Sequence, residues 1–363
     1  MCSSAGRGGG WEDESEWEEA FANYKAVYVV LMNSNTPGSI HTAASILNSI
    51  ENIYIVSIPP SLSSPVTTDV GICATATWAQ NGRTVAGGNG SGSEFTQLNG
   101  PFGLFVDENQ TIYVTDRYNN RVMKWERDAL SGQLVAGGKR QGTRDDQLNY
   151  PTDVVVDQDG TIYISDYGNQ RVQQWSRNAQ SGKTIISKIT ATGIARDNEG
   201  SLYVSEWSAN IVKKWRVGET VGKVITSEVN HPGLLSIDLN QSVFVADQWN
   251  HRVIKVDNGT TQISIVAGDG SSGRGAYQLH TPMSVVVDQL GTVYVADTNN
   301  HRIMRWPLGA TSGNVIIGGR GQGSRSDQLS EPTDLAFDLD GNLYVVDPGN
   351  DRVQKFSIDK SLC

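Results

Sequence analysis

The sequence predicts an all-β fold, a six-bladed β-propeller, on two observations. A phrase occurs six times: a hydrophobic strand that ends in an acid, an asparagine-containing turn, and a second strand that usually ends in a large apolar residue. The acids are Asp116, Asp166, Glu206, Asp247, Asp297 and Asp347, at intervals of 50, 40, 41, 50 and 50 residues. The composition supports an all-β fold, because 39 of the 363 residues are Gly and helix-favouring runs are few. An internal period of this size is typical of solenoids and propellers.

Each unit contains four predicted strands, a to d. In the fifth unit, Val293 and Val295 alternate with Tyr294 and Ala296, which is the two-residue period of a strand and makes this segment strand b. The following "TNNH" has turn chemistry, because Asn tolerates left-handed backbone. Strand a is predicted in "PMSVVVDQLG" (282–291), strand c in "RIMRW" (302–306) and strand d in "SGNVIIGG" (312–319). Four antiparallel strands repeated six times describe a propeller.

The ring is predicted to close through the N-terminal part of the chain. The last unit ends after strand c at Phe356, whereas an orphan strand d, "RTVAGG" (83–88), precedes the first unit. This strand should complete the last blade and cover an open sheet edge. Residues 67–363 are therefore assigned to the propeller, and residues 1–66 to an acidic, partly helical or disordered N-terminal extension with a linker.

The third unit departs from the others. Glu206, Ala209 and Ile211 replace the usual Asp, Asn and Arg, and the d–a connections before the third and fourth blades are short. Short loops should leave Trp207 more exposed than its counterparts, and with Trp249 of the next blade it should form an apolar patch.

Two units carry a family resemblance. "YPTDVVVDQDGTIYISDYGNQRV" (150–172) and "TPMSVVVDQLGTVYVADTNNHRI" (281–303) resemble NHL repeats, and the resemblance extends over roughly residues 72–358. It implies a six-bladed propeller. The repeated Asp-to-Arg spacing, such as Asp297 to Arg302, is interpreted as structural, and Trp306 and its equivalents as blade core.

Composition limits the function classes. A net charge of −10 argues against nonspecific nucleic-acid binding, which needs a basic surface. Cys2, Cys73 and Cys363 are too few for a disulfide scaffold or a four-thiolate zinc site, although ring closure should bring Cys73 near Cys363. No apolar run reaches membrane-spanning length and no clear signal peptide is recognised, so the compartment stays open. A monomer is expected.

One face of the ring is predicted to carry the binding site. The d–a and b–c loops should emerge there together, and aromatic residues and Arg are favoured in protein interfaces. The candidates are Tyr118, Tyr167, Trp207, Trp249, Arg140, Arg144, Arg320 and Arg325.

The central channel supplies a second set of candidates. Asp153, Ser284 and Asp334 lie on strand a, four residues before its closing Asp, where they could contact a cation or a polar ligand. The alternative is that each Asp caps its own loop. His231 and His280 are weak metal candidates, by resemblance to propeller lyases that finish peptide amidation. Zinc catalysis usually needs three protein ligands, so no cofactor is expected, with Zn or Ca as alternatives.

These observations favour a noncatalytic scaffold that binds a protein through its loop face. One alternative is a channel-mouth enzyme, either a metal-dependent lyase or a lactonase or hydrolase. Another is the substrate-recruiting component of a ubiquitin-ligase system, since NHL propellers often follow a RING and a coiled coil, neither of which is recognised in this sequence.

Overall fold

The structure is a computed structural model that describes residues 72–361. They belong to the second of two units into which the chain divides, Leu62–Cys363. The predicted N-terminal extension, with its helix, lies outside the described residues, and its boundary at residue 66 stays a prediction.

The described chain begins with two strands that precede the first complete blade, β1 (Thr77–Trp78) and β2 (Arg83–Gly87). Blade 1 contains β3 (Pro101–Val106), β4 (Ile112–Asp116), β5 (Arg121–Trp125) and β6 (Gln133–Gly137). Blade 2 contains β7 (Asp153–Val156), β8 (Ile162–Asp166), β9 (Arg171–Trp175) and β10 (Lys183–Ser187). Blade 3 contains β11 (Ala191–Arg196), β12 (Leu202–Glu206), β13 (Ile211–Trp215) and β14 (Lys223–Thr226).

The second half of the ring repeats this order. Blade 4 contains β15 (Pro232–Ile237), β16 (Val243–Asp247), β17 (Arg252–Val256) and β18 (Ile263–Ala267). Blade 5 contains β19 (Ser284–Val287), β20 (Val293–Asp297), β21 (Arg302–Trp306) and β22 (Asn314–Gly318). Blade 6 contains β23 (Asp334–Phe337), β24 (Leu343–Asp347) and β25 (Arg352–Phe356), and the final strand is β26 (Ile358–Asp359).

The predicted closure is confirmed. Strand β2 pairs antiparallel with β25, so blade 6 has the order β2-β25-β24-β23. Strands β1 and β26 add a two-stranded sheet near the point where the ring closes. Successive a strands contact one another around the ring, and β23 contacts β3. The all-β, six-bladed prediction is therefore correct.

The apolar cores lie between neighbouring blades. One of them joins Val122 and Ala136 of blade 1 to Ile164 and Trp175 of blade 2. A strand b that is covered on both sides can bury both of its alternating sets of side chains, and strand β20 is buried from end to end. Trp306 is 1% exposed, as expected of a core residue.

The segment that precedes β2 packs near the point where the ring closes, against blades 5 and 6. Trp78 belongs to an apolar cluster with Tyr294 and Phe356, and its indole N–H donates to Gly341 O at 3.0 Å. Cys73 is disulfide-bonded; the prediction that Cys363 lies next to it falls on a residue outside the described range.

Candidate binding face and channel mouth

The b–c turn is built around the acid that ends strand b. In blade 5, Asp297 Oδ2 accepts from Arg302 Nε at 2.6 Å and from Asn300 Nδ2 at 2.8 Å. Its Oδ1 accepts from His280 N at 2.7 Å. His301 completes the turn in the left-handed conformation. Burial raises the pKa of Asp297, and these hydrogen bonds oppose the rise. The Asp-to-Arg spacing is therefore an ion pair within one blade, which agrees with its structural interpretation.

The same arginine fastens the long d–a loop that enters its blade. Arg302 donates to Arg274 O, Gly275 O and Gln278 O, at 3.0, 3.3 and 3.1 Å. Leu279 of this loop is fully buried in the core beside blade 5. The long loop is thus held by hydrogen bonds from the arginine and by a buried leucine side chain.

The long loops do not simply project from the b–c end of the ring. Ala276 O, near the loop tip, accepts from Gly313 N, the residue before strand d. Gly313 lies at the end of the blade opposite the b–c turn, because c and d are antiparallel. Each long loop therefore folds along the outer edge of its blade, which modifies the prediction of one common loop face.

The loop arginines are mostly paired within their own loops. Arg144 pairs with Asp146 at 3.0 Å. Asp327 pairs with both Arg320 and Arg325, at 3.4 and 3.0 Å. Arg140 is exposed and has a left-handed backbone, with φ of 71°. Their role in binding stays a prediction.

Aromatic rings do meet on the b–c side of the ring. Tyr118 and Tyr150 make an edge contact with ring centroids 5.9 Å apart. His231 stacks on Trp249 at 3.9 Å and meets the edge of Trp207 at 4.7 Å. The sequence predicted Trp207 and Trp249 as neighbours but missed the histidine between them. We call these five residues the aromatic face.

Trp207 is more exposed than its equivalents Gln248 and Thr298, which are buried, but less exposed than the aromatic residues at the next turn position. Trp207 is half-buried, whereas Tyr118 and Trp249 are 55% and 54% exposed. The reason is His231, which covers the Trp207 ring from the start of the next blade. Tyr167 is also half-buried and makes no ring contact with the aromatic face among the described residues.

Apolar side chains of three blades meet inside the ring of a strands. Phe102 and Leu234 lie on strands a of blades 1 and 4, Met283 directly precedes strand a of blade 5, and the three form one apolar cluster. All three are less than 10% exposed. We call this cluster the channel plug.

The channel candidates are buried and carry bonds between blades. Asp334 accepts from Leu104 N of blade 1, from Ser284 Oγ of blade 5 and from its own neighbour Leu335 N. Asp153 accepts from Val154 N and from Ile194 N of blade 3. Each Asp therefore binds its own strand through Oδ1 and a neighbouring blade through Oδ2.

The two carboxyl groups also influence each other. Burial raises the pKa of Asp334 to about 7. Burial first, and the negative charge of Asp334 second, raise the pKa of Asp153 well above its ordinary value. Gly103 lies against one of them, since a Cβ there would lie 2.9 Å from Asp153 Oδ1. Burial and mutual repulsion of two acids both favour the neutral, protonated form.

The two candidate histidines lie in different surroundings. His231 Nδ1 lies 2.8 Å from Asn230 Oδ1 within the aromatic face, whereas the His280 ring lies beside His251 at 5.8 Å. Within residues 72–361, no group of three or more His, Cys, Asp or Glu side chains is placed to hold a metal ion.

Two polar residues beside the channel plug were not recognised from the sequence. Arg117 lies over the Phe102 ring, with its guanidinium carbon 4.9 Å from the centroid. Gln248 Nε2 lies 3.7 Å from Met283 Sδ. Both residues directly follow the acid that ends strand b. That common position was the available signal, but only the closed ring shows that it borders the plug.

A family model for the NHL repeat matches residues 148–175 and 279–305. These segments lie in blades 2 and 5, each running from the end of the d–a loop to strand c, and the same strand pattern recurs in all six blades. The chain is an NHL-repeat β-propeller. No curated protein matches the sequence.

Solved structures share the propeller at low sequence identity. An auxiliary nutrient binding protein from Bacteroides thetaiotaomicron superposes with a TM-score of 0.62 at 14% identity, over 77% of this chain and 76% of its own. Virginiamycin B lyase from Staphylococcus aureus superposes with a TM-score of 0.52 at 10% sequence identity, over 73% of this chain and 97% of its own. A putative gluconolactonase superposes with a TM-score of 0.55 at 12% sequence identity, over 79% of this chain and 94% of its own. Such identities establish the fold alone.

None of the helices within residues 72–361 has the length and apolar character needed to cross a bilayer.

Proposed function

We propose that this NHL propeller is a noncatalytic scaffold that binds a protein partner through its aromatic face. The observation that carries the proposal is the exposure of Tyr118 and Trp249 on turns that are fixed by buried Asp residues. Aromatic side chains held in one conformation lose little entropy on binding, and they are enriched among residues that dominate interface energies.

The arrangement of polar groups supports binding rather than channel chemistry. Asp153, Ser284 and Asp334 are at most 5% exposed, and each makes hydrogen bonds that hold blades together. A group engaged in this way must break structural bonds before it can act on a substrate. The proposed scaffold acts as a monomer, needs no cofactor, and binds protein rather than nucleic acid, in keeping with its acidic net charge.

The test compares two ends of the propeller. A photo-reactive aromatic residue is placed at position 118 or 249 on the aromatic face, or at position 130 or 308 as a control. Leu130 and Leu308 are 93% and 77% exposed and lie in the c–d turns, at the opposite end of their blades. Irradiation in a lysate of the source cells should give discrete adducts from positions 118 and 249 only.

A matched pair of double variants completes the test. Tyr118→Ala with Trp249→Ala should abolish capture of the cross-linked protein, while Leu130→Ala with Leu308→Ala should retain it. Equal adducts from both ends, or undiminished capture by the first variant, would contradict the proposal.

A further inference from the structure

Arg117 differs from the other buried and half-buried arginines of residues 72–361. It is half-buried, yet its guanidinium makes no hydrogen bond or ion pair with any residue of 72–361, and its Nε is buried without a partner. Its contacts are with the faces of Phe102 and Tyr118, at 4.9 and 5.9 Å. Withdrawing a charge from water without a counter-ion is costly. In a chain with ten more negative than positive charges, an uncompensated cation at the channel mouth calls for an anionic ligand.

A second polar atom at the channel plug lacks a partner. Gln248 is 6% exposed, and its Oε1 accepts no hydrogen bond among the described residues. The corresponding residue of the next blade, Thr298, donates to Pro332 O at 2.8 Å. Gln248 makes only the weak contact with Met283, so its carbonyl oxygen is free to accept from a ligand.

A third such atom lies on strand a of blade 3. Thr192 is 3% exposed, and its Oγ1 has no partner in the described part of the chain. The equivalent hydroxyls of Thr152 and Thr333 donate to Ala191 O and Phe102 O of the following blades. Buried polar groups are nearly always bonded, and two of these three, on Arg117 and Gln248, lie against the channel plug.

We propose that the channel mouth binds a small organic carboxylate that has an apolar body and an N–H donor, the chemistry of an N-acylated amino acid. The Arg117 guanidinium binds the carboxylate, because its planar fork matches two carboxylate oxygens. The channel plug contacts the apolar body, and Gln248 Oε1 accepts the N–H. Trp207 and Tyr167, the equivalents of Arg117 in blades 3 and 2, provide the aromatic part of the rim.

This site shares Trp207 with the aromatic face, but it does not use Tyr118 or Trp249, the two residues that carry the protein-binding proposal. It uses the residue that follows the acid in blades 1 to 4, whereas Tyr118 and Trp249 occupy the next position. The small-molecule site can therefore exist whether or not the aromatic face binds a protein.

The experiment measures binding by calorimetry with N-acetyl-L-phenylalanine and its uncharged primary amide. The acid should bind with a Kd below about 1 mM, and the amide at least tenfold more weakly. Arg117→Gln should abolish the preference for the acid. The control is Arg177→Gln, because Arg177 is exposed, makes no ion pair within the described residues, and lies in the c–d turn of blade 2. This variant should bind like the parent.

A second cycle tests the role of Gln248. Gln248→Leu keeps a similar side-chain volume but removes the hydrogen-bond acceptor. It should therefore weaken the binding of N-acetyl-L-phenylalanine and leave the binding of hydrocinnamate, which lacks the N–H, unchanged. Comparison with acetyl-Gly-Gly-Phe separates a free small molecule from the C-terminus of a chain as the source of the carboxylate.

The proposal would be overturned if acid and amide bound equally, if Arg117→Gln bound the acid like the parent, or if neither the acid nor hydrocinnamate nor the tripeptide bound below about 1 mM. Thermal melting of each variant, followed by circular dichroism, identifies any loss of binding that is due to unfolding. Because Arg117→Gln keeps Tyr118 and Trp249, its capture of a cross-linked protein should be unaffected, so the two proposals can fail independently.

Discussion

The blades fall into two groups that differ in how the chain enters them. Blades 1, 2, 5 and 6 are entered through long d–a loops, and the arginine that begins strand c in each donates to three carbonyl oxygens of its loop. Blades 3 and 4 are entered through short loops. Arg252 of blade 4 reaches one loop carbonyl, Glu228 O, and blade 3 has Ile211 at this position.

The difference shows what the repeated arginine does. It pairs with an acid in its own blade, but most of its hydrogen bonds fasten a loop, so its benefit decreases where the loop is short. In blade 3 the acid finds another partner, since Lys213 Nζ lies 2.9 Å from Glu206 Oε2. A short loop therefore removes most of the arginine's partners, although blade 4 keeps its arginine with a loop that is also short.

The largest effect should come from removing the arginine. Arg302→Met in blade 5 should lower the free energy of unfolding by about 2 kcal/mol more than Arg252→Met in blade 4. The reason is that Arg302 makes two more hydrogen bonds to loop carbonyls, at about 1 kcal/mol each, while both variants leave a buried Asp without its cation. Denaturant unfolding of the two variants measures the difference. Equal losses would show that the ion pair, not the loop, accounts for the effect.

A smaller effect is expected from restoring the motif in blade 3. Glu206→Asp with Ile211→Arg recreates the Asp-to-Arg spacing where no long loop exists. We expect no gain in the free energy of unfolding, within about 0.5 kcal/mol, because the new arginine has no loop carbonyls to bind and Lys213 loses its partner. A stabilisation above about 1 kcal/mol, by the same measurement, would show that the pair suffices without a loop.

The smallest effect concerns the far ends of two long loops. His251 Nδ1 accepts from Thr281 N at 3.2 Å, and His301 Nδ1 accepts from Glu331 N at 3.1 Å. Accepting requires the neutral ring, and burial lowers the pKa of both histidines. A pKa lowered by folding means that the stability is fully present above the unfolded value of about 6.5. It is lost as the pH falls from there through the folded pKa.

Replacement by Asn isolates this pH dependence. Asn120 and Asn210 occupy the same turn position and accept from Tyr150 N and His231 N, at 2.9 and 2.8 Å. His251→Asn with His301→Asn should therefore keep the bonds but remove part of the stability loss below about pH 6.5. Melting temperatures from pH 7.5 to 5 measure the difference from the parent. An unchanged pH profile would mean that these histidines do not contribute. The comparison with the parent cancels the opposite contribution of Asp334, whose raised pKa reduces stability as the pH rises toward 7.

The sequence predicted the parts of the site that depend on local spacing. Asp297 and Arg302 are five residues apart on paired strands, so their contact follows from the hairpin alone. The same reasoning placed Tyr118 and Trp249 on b–c turns. It could not predict that His231 separates Trp207 from Trp249, because that contact joins the turn of one blade to the first strand of the next.

The repeat pattern was sufficient to predict six blades, the order of their strands and closure of the ring by residues 83–88. A periodic sequence encodes the same hairpins wherever it occurs, and an unpaired strand at each end has one suitable partner. The tertiary structure decided what happens where blades meet. Asp153 and Asp334, 181 positions apart in the sequence, influence each other's charge inside the ring, and Arg117 and Gln248 border one channel plug. The curvature of the closed ring brings these residues together, and no local period carries that information.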